Sequence, residues 1–168
     1  MKHSPMLAVV LCMLFAVPGC NKPTPDEVQQ LTGAAITLGF GAWAKSNPDQ
    51  EAKISAQIAQ GATNALAYLK GAQGEASTVL QAAIQAKLTE GLPPDIQALV
   101  KSAASIVDQV LPEPSPTTFL TPDQLAYMTA SIQGIKDGCG SKAVVSKDMV
   151  EKVKKLLARA PKDRKWFK

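Results

Sequence analysis

The sequence predicts an all-α protein: a bundle of five or six helices with short loops and a Pro-rich linker before the last helical pair. Three observations predict it. Apolar residues recur at i, i+3, i+4 and i+7 in segment after segment, the period of one helix face. Alanine, the best helix former, occurs 25 times in 168 residues. No stretch alternates apolar and polar residues long enough to read as a strand.

The elements follow in order. Thr24-Pro25-Asp26-Glu27 opens the first helix with a capping Thr, a Pro at the first helical position and a Glu three residues after the cap. From Val28 to Ala44 this helix has no charge, and Gly33, Thr37 and Gly41 recur every four residues. Small residues at that spacing let two helices approach closely, as in membrane helix pairs. The same pattern suits the central helix of a bundle, packed on all sides, and that reading is preferred here to membrane contact or self-assembly.

Asn47-Pro48-Asp49-Gln50 repeats the start signal, and segment 48–70 carries Ile54, Ile58, Ala62, Ala65 and Leu69 on one face. Segment 75–89 offers Ala76, Leu80, Ala83, Ile84 and Leu88. Pro94-Asp95 opens the clearest helix, 94–111, with Ile96, Leu99, Val100, Ala103, Ile106, Val107 and Val110 aligned. Thr121-Pro122-Asp123-Gln124 opens 122–136, which carries Leu125, Met128, Ile132 and Ile135; Leu120 and Leu125 sit where a hydrophobic staple places them. The last helix, 147–160, carries Val150, Val153, Leu156, Leu157 and Ala160. Gly71, Gly91 and Gly138 are expected as helix stops. The windows from Thr24 and Thr121 agree at four of twelve positions, which convergent capping explains more simply than duplication.

Residues 112–118, PEPSPTT, contain three prolines and are expected to be stiff and extended. They divide the chain into a four-helix body (26–111), a linker (112–120), a helical hairpin (121–160) and a basic tail (161–168). Fifty residues make a marginal core of their own, so the hairpin is read as appended to one bundle.

The N-terminus has a different character. Lys2 and His3 precede a 12-residue apolar run from Met6 to Val17. A bilayer-spanning helix needs about 20 residues, so the run fits a signal-peptide core. It ends at Val17-Pro18-Gly19-Cys20, which resembles the lipobox of bacterial lipoproteins: an aliphatic residue, a small residue and Gly or Ala before the modified Cys. Val17, Gly19 and Cys20 match, while Pro18 departs from the usual Ala or Ser. The resemblance covers the first 20 residues alone. It implies a signal peptide 1–19 cleaved after Gly19, palmitate and further acyl chains on Cys20, and a short tether over 20–25. Two or more acyl chains give stable membrane anchoring. Asn21, not Asp, follows Cys20, which by the same resemblance implies the outer membrane, facing the periplasm.

Cleavage would remove His3, the one histidine, and with it His-based triads, bases and metal ligands. Cys12 would go too, and acylation would block Cys20, leaving Cys139 as a free thiol expected to be an apolar filler at a helix end. No GxSxG, HExxH, P-loop or EF-hand pattern occurs, so neither an enzyme nor a cofactor is expected. Charge is uneven. Residues 142–168 hold ten Lys or Arg against three acidic residues, a net of +7, while 20–141 hold seven against eleven, a net of −4. Asp148 with Lys152 and Glu151 with Lys155 are i, i+4 pairs. In the tail, Lys162, Arg164, Lys165, Trp166 and Lys168 are candidates for contact with an anionic surface. The functional expectation is a membrane-tethered, non-enzymatic envelope interaction or structural protein, held in the bilayer through Cys20 and meeting an envelope protein as partner, with no nucleic acid. Two alternatives are a phage or mobile-element envelope factor, in lysis or superinfection exclusion, and a small apolar-ligand carrier.

Overall fold

The computed structural model describes residues 22–140, 145–159 and 166. Six α-helices are described: α1 (Pro25–Ser46), α2 (Glu51–Gly71), α3 (Ser77–Thr89), α4 (Pro94–Ala104), α5 (Pro122–Gly140) and α6 (Lys147–Arg159). The protein is an all-α bundle; among the described residues, β pairing is limited to one isolated bridge between Ala76 and Phe119.

The start signals of α1 and α5 act as written. Thr24 N–H donates to Glu27 Oε2 at 2.8 Å, and Glu27 N–H donates back to Thr24 Oγ1 at 3.3 Å. Thr121 and Gln124 repeat the reciprocal pair at 3.0 and 3.3 Å. Each box satisfies two otherwise orphaned N–H groups. The third signal does not act. Asn47 Nδ2 donates backward to Trp43 O at 3.0 Å, so Asn47 closes α1, and Pro48–Gln50 is a 3₁₀ turn before α2. The helix expected over 94–111 is also shorter than its pattern. It is α-helical to Ala104 and tightens into a 3₁₀ turn over Ser105–Gln109, with Ile106 and Val107 still buried.

Helix α5 lies at the centre, and this corrects the expected division of the chain. It packs most extensively on α1, then on α2, and also on α4, so it belongs to the main core and is not half of an appended hairpin. Ile132 and Ile135 of α5 join Ile36 of α1, Ile58 of α2, Ile84 and Leu88 of α3, and Val100 of α4 in one buried cluster. Helix α6 packs on α1, with Val153 buried. Each fully buried Leu or Ile contributes roughly 1.5–3 kcal/mol of apolar transfer.

The linker is strapped down. Ser77, buried at the start of α3, donates from its hydroxyl to Ser115 O (3.1 Å) and accepts from Ser115 N–H (2.8 Å). Its own N–H donates to Thr118 O at 2.7 Å. A Pro-rich stretch has few N–H groups of its own, so its free carbonyls need donors from elsewhere.

Candidate functional site

The α1–α5 contact is built from the smallest residues. Contacts between Thr32 and Ser131, Gly33 and Gly134, and Thr37 and Gly138 advance together along both helices, so the two run parallel. A Cβ on Gly134 would sit 2.3 Å from Gln29 O, and one on Gly138 would sit 2.5 Å from Gly33 O. The backbones therefore touch, and only hydrogen fits. Gly138 is not the expected helix stop; it lies inside α5, buried against α1. Thr37 Oγ1 lies 2.9 Å from Gly33 O and 3.1 Å from Gly138 O, sharing its one proton between the two helices. Within the Gly33, Thr37, Gly41 stripe, the first two residues serve this contact, whereas Gly41 faces open space.

Two grooves flank the contact. One, of about 590 Å³, is lined by Asp26, Gln29, Gln30, Thr37, Asp137 and Ser146. In it the Asp137 carboxylate accepts from Gln29 Nε2 at 2.8 Å and from Gln133 Nε2 at 2.7 Å. The other, of about 710 Å³, runs past Phe40, Lys45, Glu51, Ser55 and Cys139. Cys139 is buried, its carbonyl accepts from Ser55 Oγ at 2.9 Å, and burial pushes its thiol up to about 12. Such a thiol stays protonated at neutral pH and is a poor nucleophile. Among the described residues no group of three or more His, Cys, Asp or Glu could hold a metal ion.

Away from the grooves, Tyr68 at the end of α2 donates its hydroxyl to the Glu75 carboxylate, and the Lys87 ammonium lies 5.4 Å from the centre of its ring. The Tyr68 phenol is pushed up chiefly by that hydrogen bond, with burial and the Glu75 charge adding to it. This cluster ties the α2–α3 turn to α3.

The residues singled out in the sequence are spread apart. Gly19 and Cys20 lie outside the described residues, as do Lys162, Arg164, Lys165 and Lys168. Trp166 departs from expectation. It is fully buried, so it does not offer its ring to a surface. Its indole N–H donates to Pro112 O at 2.8 Å, and its carbonyl accepts from Gln81 Nε2 at 3.2 Å and from Gln85 Nε2. The ion pairing of α6 differs in one partner: Lys152 meets Asp148 at 3.1 Å, but Glu151 meets Lys154, at 3.8 Å. The sequence reading also missed Ser77 and Asp137, whose roles depend on what folding brings to them. Comparison with protein families, with curated proteins and with solved structures finds no match to this chain.

Proposed function

We propose that this protein is a lipid-anchored, non-enzymatic helical lipoprotein of the bacterial envelope, whose bundle binds another envelope protein. The observation that carries the proposal is Val17-Pro18-Gly19-Cys20 closing a 12-residue apolar run behind a basic start. Acyl chains on Cys20 would hold the body against the bilayer. Extended chain spans about 3.3–3.6 Å per residue, so the five-residue step from Cys20 to Pro25 keeps α1 within about 17 Å of the anchor.

Features of the body support an interaction role. Its protonated, buried thiol argues against cysteine chemistry. Its grooves carry polar and charged side chains beside apolar ones such as Val145, Met149 and Phe40, a mixture that both packs on and hydrogen-bonds a partner. Among the described residues no helix is long and apolar enough to cross a membrane, so the lipid on Cys20 is the attachment on which this reading relies. By the lipobox resemblance, Asn21 favours the outer membrane, facing the periplasm.

The test is Cys20→Ala in the full chain, followed by radiolabelled palmitate and fractionation of cells. Loss of label and release from the membrane fraction are expected. Retained label, or unchanged membrane association, contradicts the proposal.

A further inference from the structure

The directions of the helices gather several starts and turns at one end of the bundle. Helices α1 and α5 run parallel and touch where Gly33 meets Gly134, so their capped starts at Thr24 and Thr121 lie at the same end. Helix α2 runs the other way. Its first turns sit at the far end, where Ser55 Oγ donates to Cys139 O near the close of α5 and the Pro48–Gln50 turn joins α2 to α1. Its last residue, Gly71, therefore returns to the capped end, and α3 starts there after a short turn.

The two most exposed large apolar side chains among the described residues stand at that end. Phe119 is 56% exposed just before the Thr121 cap, and Val79 is 51% exposed in the first turn of α3. The backbone mounts them together. Phe119 pairs with Ala76 in an antiparallel bridge, and Ser77 N–H donates to Thr118 O at 2.7 Å. The segment that carries Phe119 is thereby fixed against the helix turn that carries Val79. Apolar side chains exposed singly need no explanation, whereas a rigidly mounted pair suits a contact surface. The chain from Cys20 also enters the bundle at this end, with Cys20 within about 17 Å of Pro25.

We propose that Phe119 and Val79 form a membrane-contact patch. When Cys20 carries its lipid, the capped end of the bundle rests on the bilayer with both side chains in the interfacial zone. This contact rests on the lipid-anchor reading and adds an orientation to it. A lipid on one residue fixes a point of attachment and leaves the orientation of the body open. Apolar side chains entering the interface at the same end strengthen the attachment and set the orientation, with the Pro48–Gln50 turn held away from the lipid. The first turns of α1 and α5 bring Asp26, Glu27 and Asp123 to the capped end, so the surface it fits is neutral phospholipid.

The experiment supplies the lipid chemically, so its outcome does not depend on whether cells acylate Cys20. The full chain with Cys12→Ser is coupled through the Cys20 thiol to a maleimide-bearing lipid in phosphatidylcholine vesicles with brominated acyl chains. Cys139, buried and protonated, is spared. Bromine quenches indoles that reach the lipid. Phe119→Trp puts a reporter on the patch, Gln50→Trp puts one on the exposed turn at the opposite end, and the chain without either substitution gives the background from Trp43 and Trp166. The indole added by Phe119→Trp is expected to lose about half of its emission, and the one added by Gln50→Trp to keep its own. Adding Val79→Ser to Phe119→Trp is expected to reduce the quenching about twofold.

Phe119 and Val79 are each more than half exposed, so these variants keep their core contacts, and unchanged melting checks it. Val79→Trp is an independent reporter on the same patch with the same expectation. Quenching no greater than background at both positions, or equal quenching at Gln50→Trp, overturns the proposal. Neither result bears on acylation of Cys20, which palmitate labelling tests by itself.

Discussion

Helix α1 packs on α5, α4 and α6, and it meets the first and the last of these by different means. Against α5 it offers Gly33 and Thr37 to Gly134 and Gly138, so that backbone meets backbone and a shared hydroxyl bridges the pair. On α6, among the described side chains, Val153 is buried and Met149 and Val150 are half-buried. Close packing of rigid backbone is sensitive to a single added atom, because no rotamer change can make room. Small residues thus set where the molecule is brittle.

The comparison breaks most sharply at Gly134. Gly134→Ala places a Cβ 2.3 Å from Gln29 O, and urea melts are expected to show a loss of about 3 kcal/mol. Gly41→Ala is the control on the same stripe. Its Cβ meets nothing within 4 Å, and the better helix propensity is expected to raise stability by about 0.5–1 kcal/mol. Equal effects at the two glycines would contradict the close-contact account.

The next effect is a pH dependence from Cys139, at the end of the same helix. Burial raises its thiol from an ordinary 9.0 to about 12, so the folded state holds a proton that the unfolded chain releases. The stability is therefore fully present below pH 9 and declines as pH rises from 9 toward 12, by up to about 1.4 kcal/mol per unit. Cys139→Ala is expected to flatten that difference, read as the gap between wild-type and variant melting curves at pH 8 and pH 10.5. Parallel pH profiles would show that the thiol does not titrate as described.

Smaller effects separate the two helices further. Thr121→Ala removes the cap of α5 and is expected to lower stability by about 1 kcal/mol in denaturant melts. Asp148→Asn on α6 breaks an exposed pair with Lys152 and is expected to change stability by no more than about 0.5 kcal/mol.

Much of this was legible in the sequence, for local reasons. Thr24 and Thr121 cap because the partner of each cap lies three residues away, within the same turn. The periodic faces predict the core because a helix repeats whatever its neighbours are, and Ile54, Ile58, Ile96, Val100, Ile132 and Ile135 are all buried. What was not legible depends on distant partners. Asn47 has the same flanking residues as a working cap, yet its amide turns back to Trp43. Gly138 reads as a stop because glycine often ends helices, but its partner, Gly33, is about a hundred residues upstream. Trp166 looked like a surface residue because its sequence neighbours are basic, and nothing local points to Pro112, Gln81 or Gln85. For Cys20 the proposal rests on the lipobox resemblance of Val17-Pro18-Gly19-Cys20, not on the fold.

Native-state hydrogen exchange on the wild-type protein tests the contrast between the two attachments most directly. The account predicts that amides of α5 around Gly134 exchange only through global unfolding, with the free energy found in denaturant melts, while amides of α6 exchange through a smaller local opening. Equal opening free energies for α5 and α6 would contradict it.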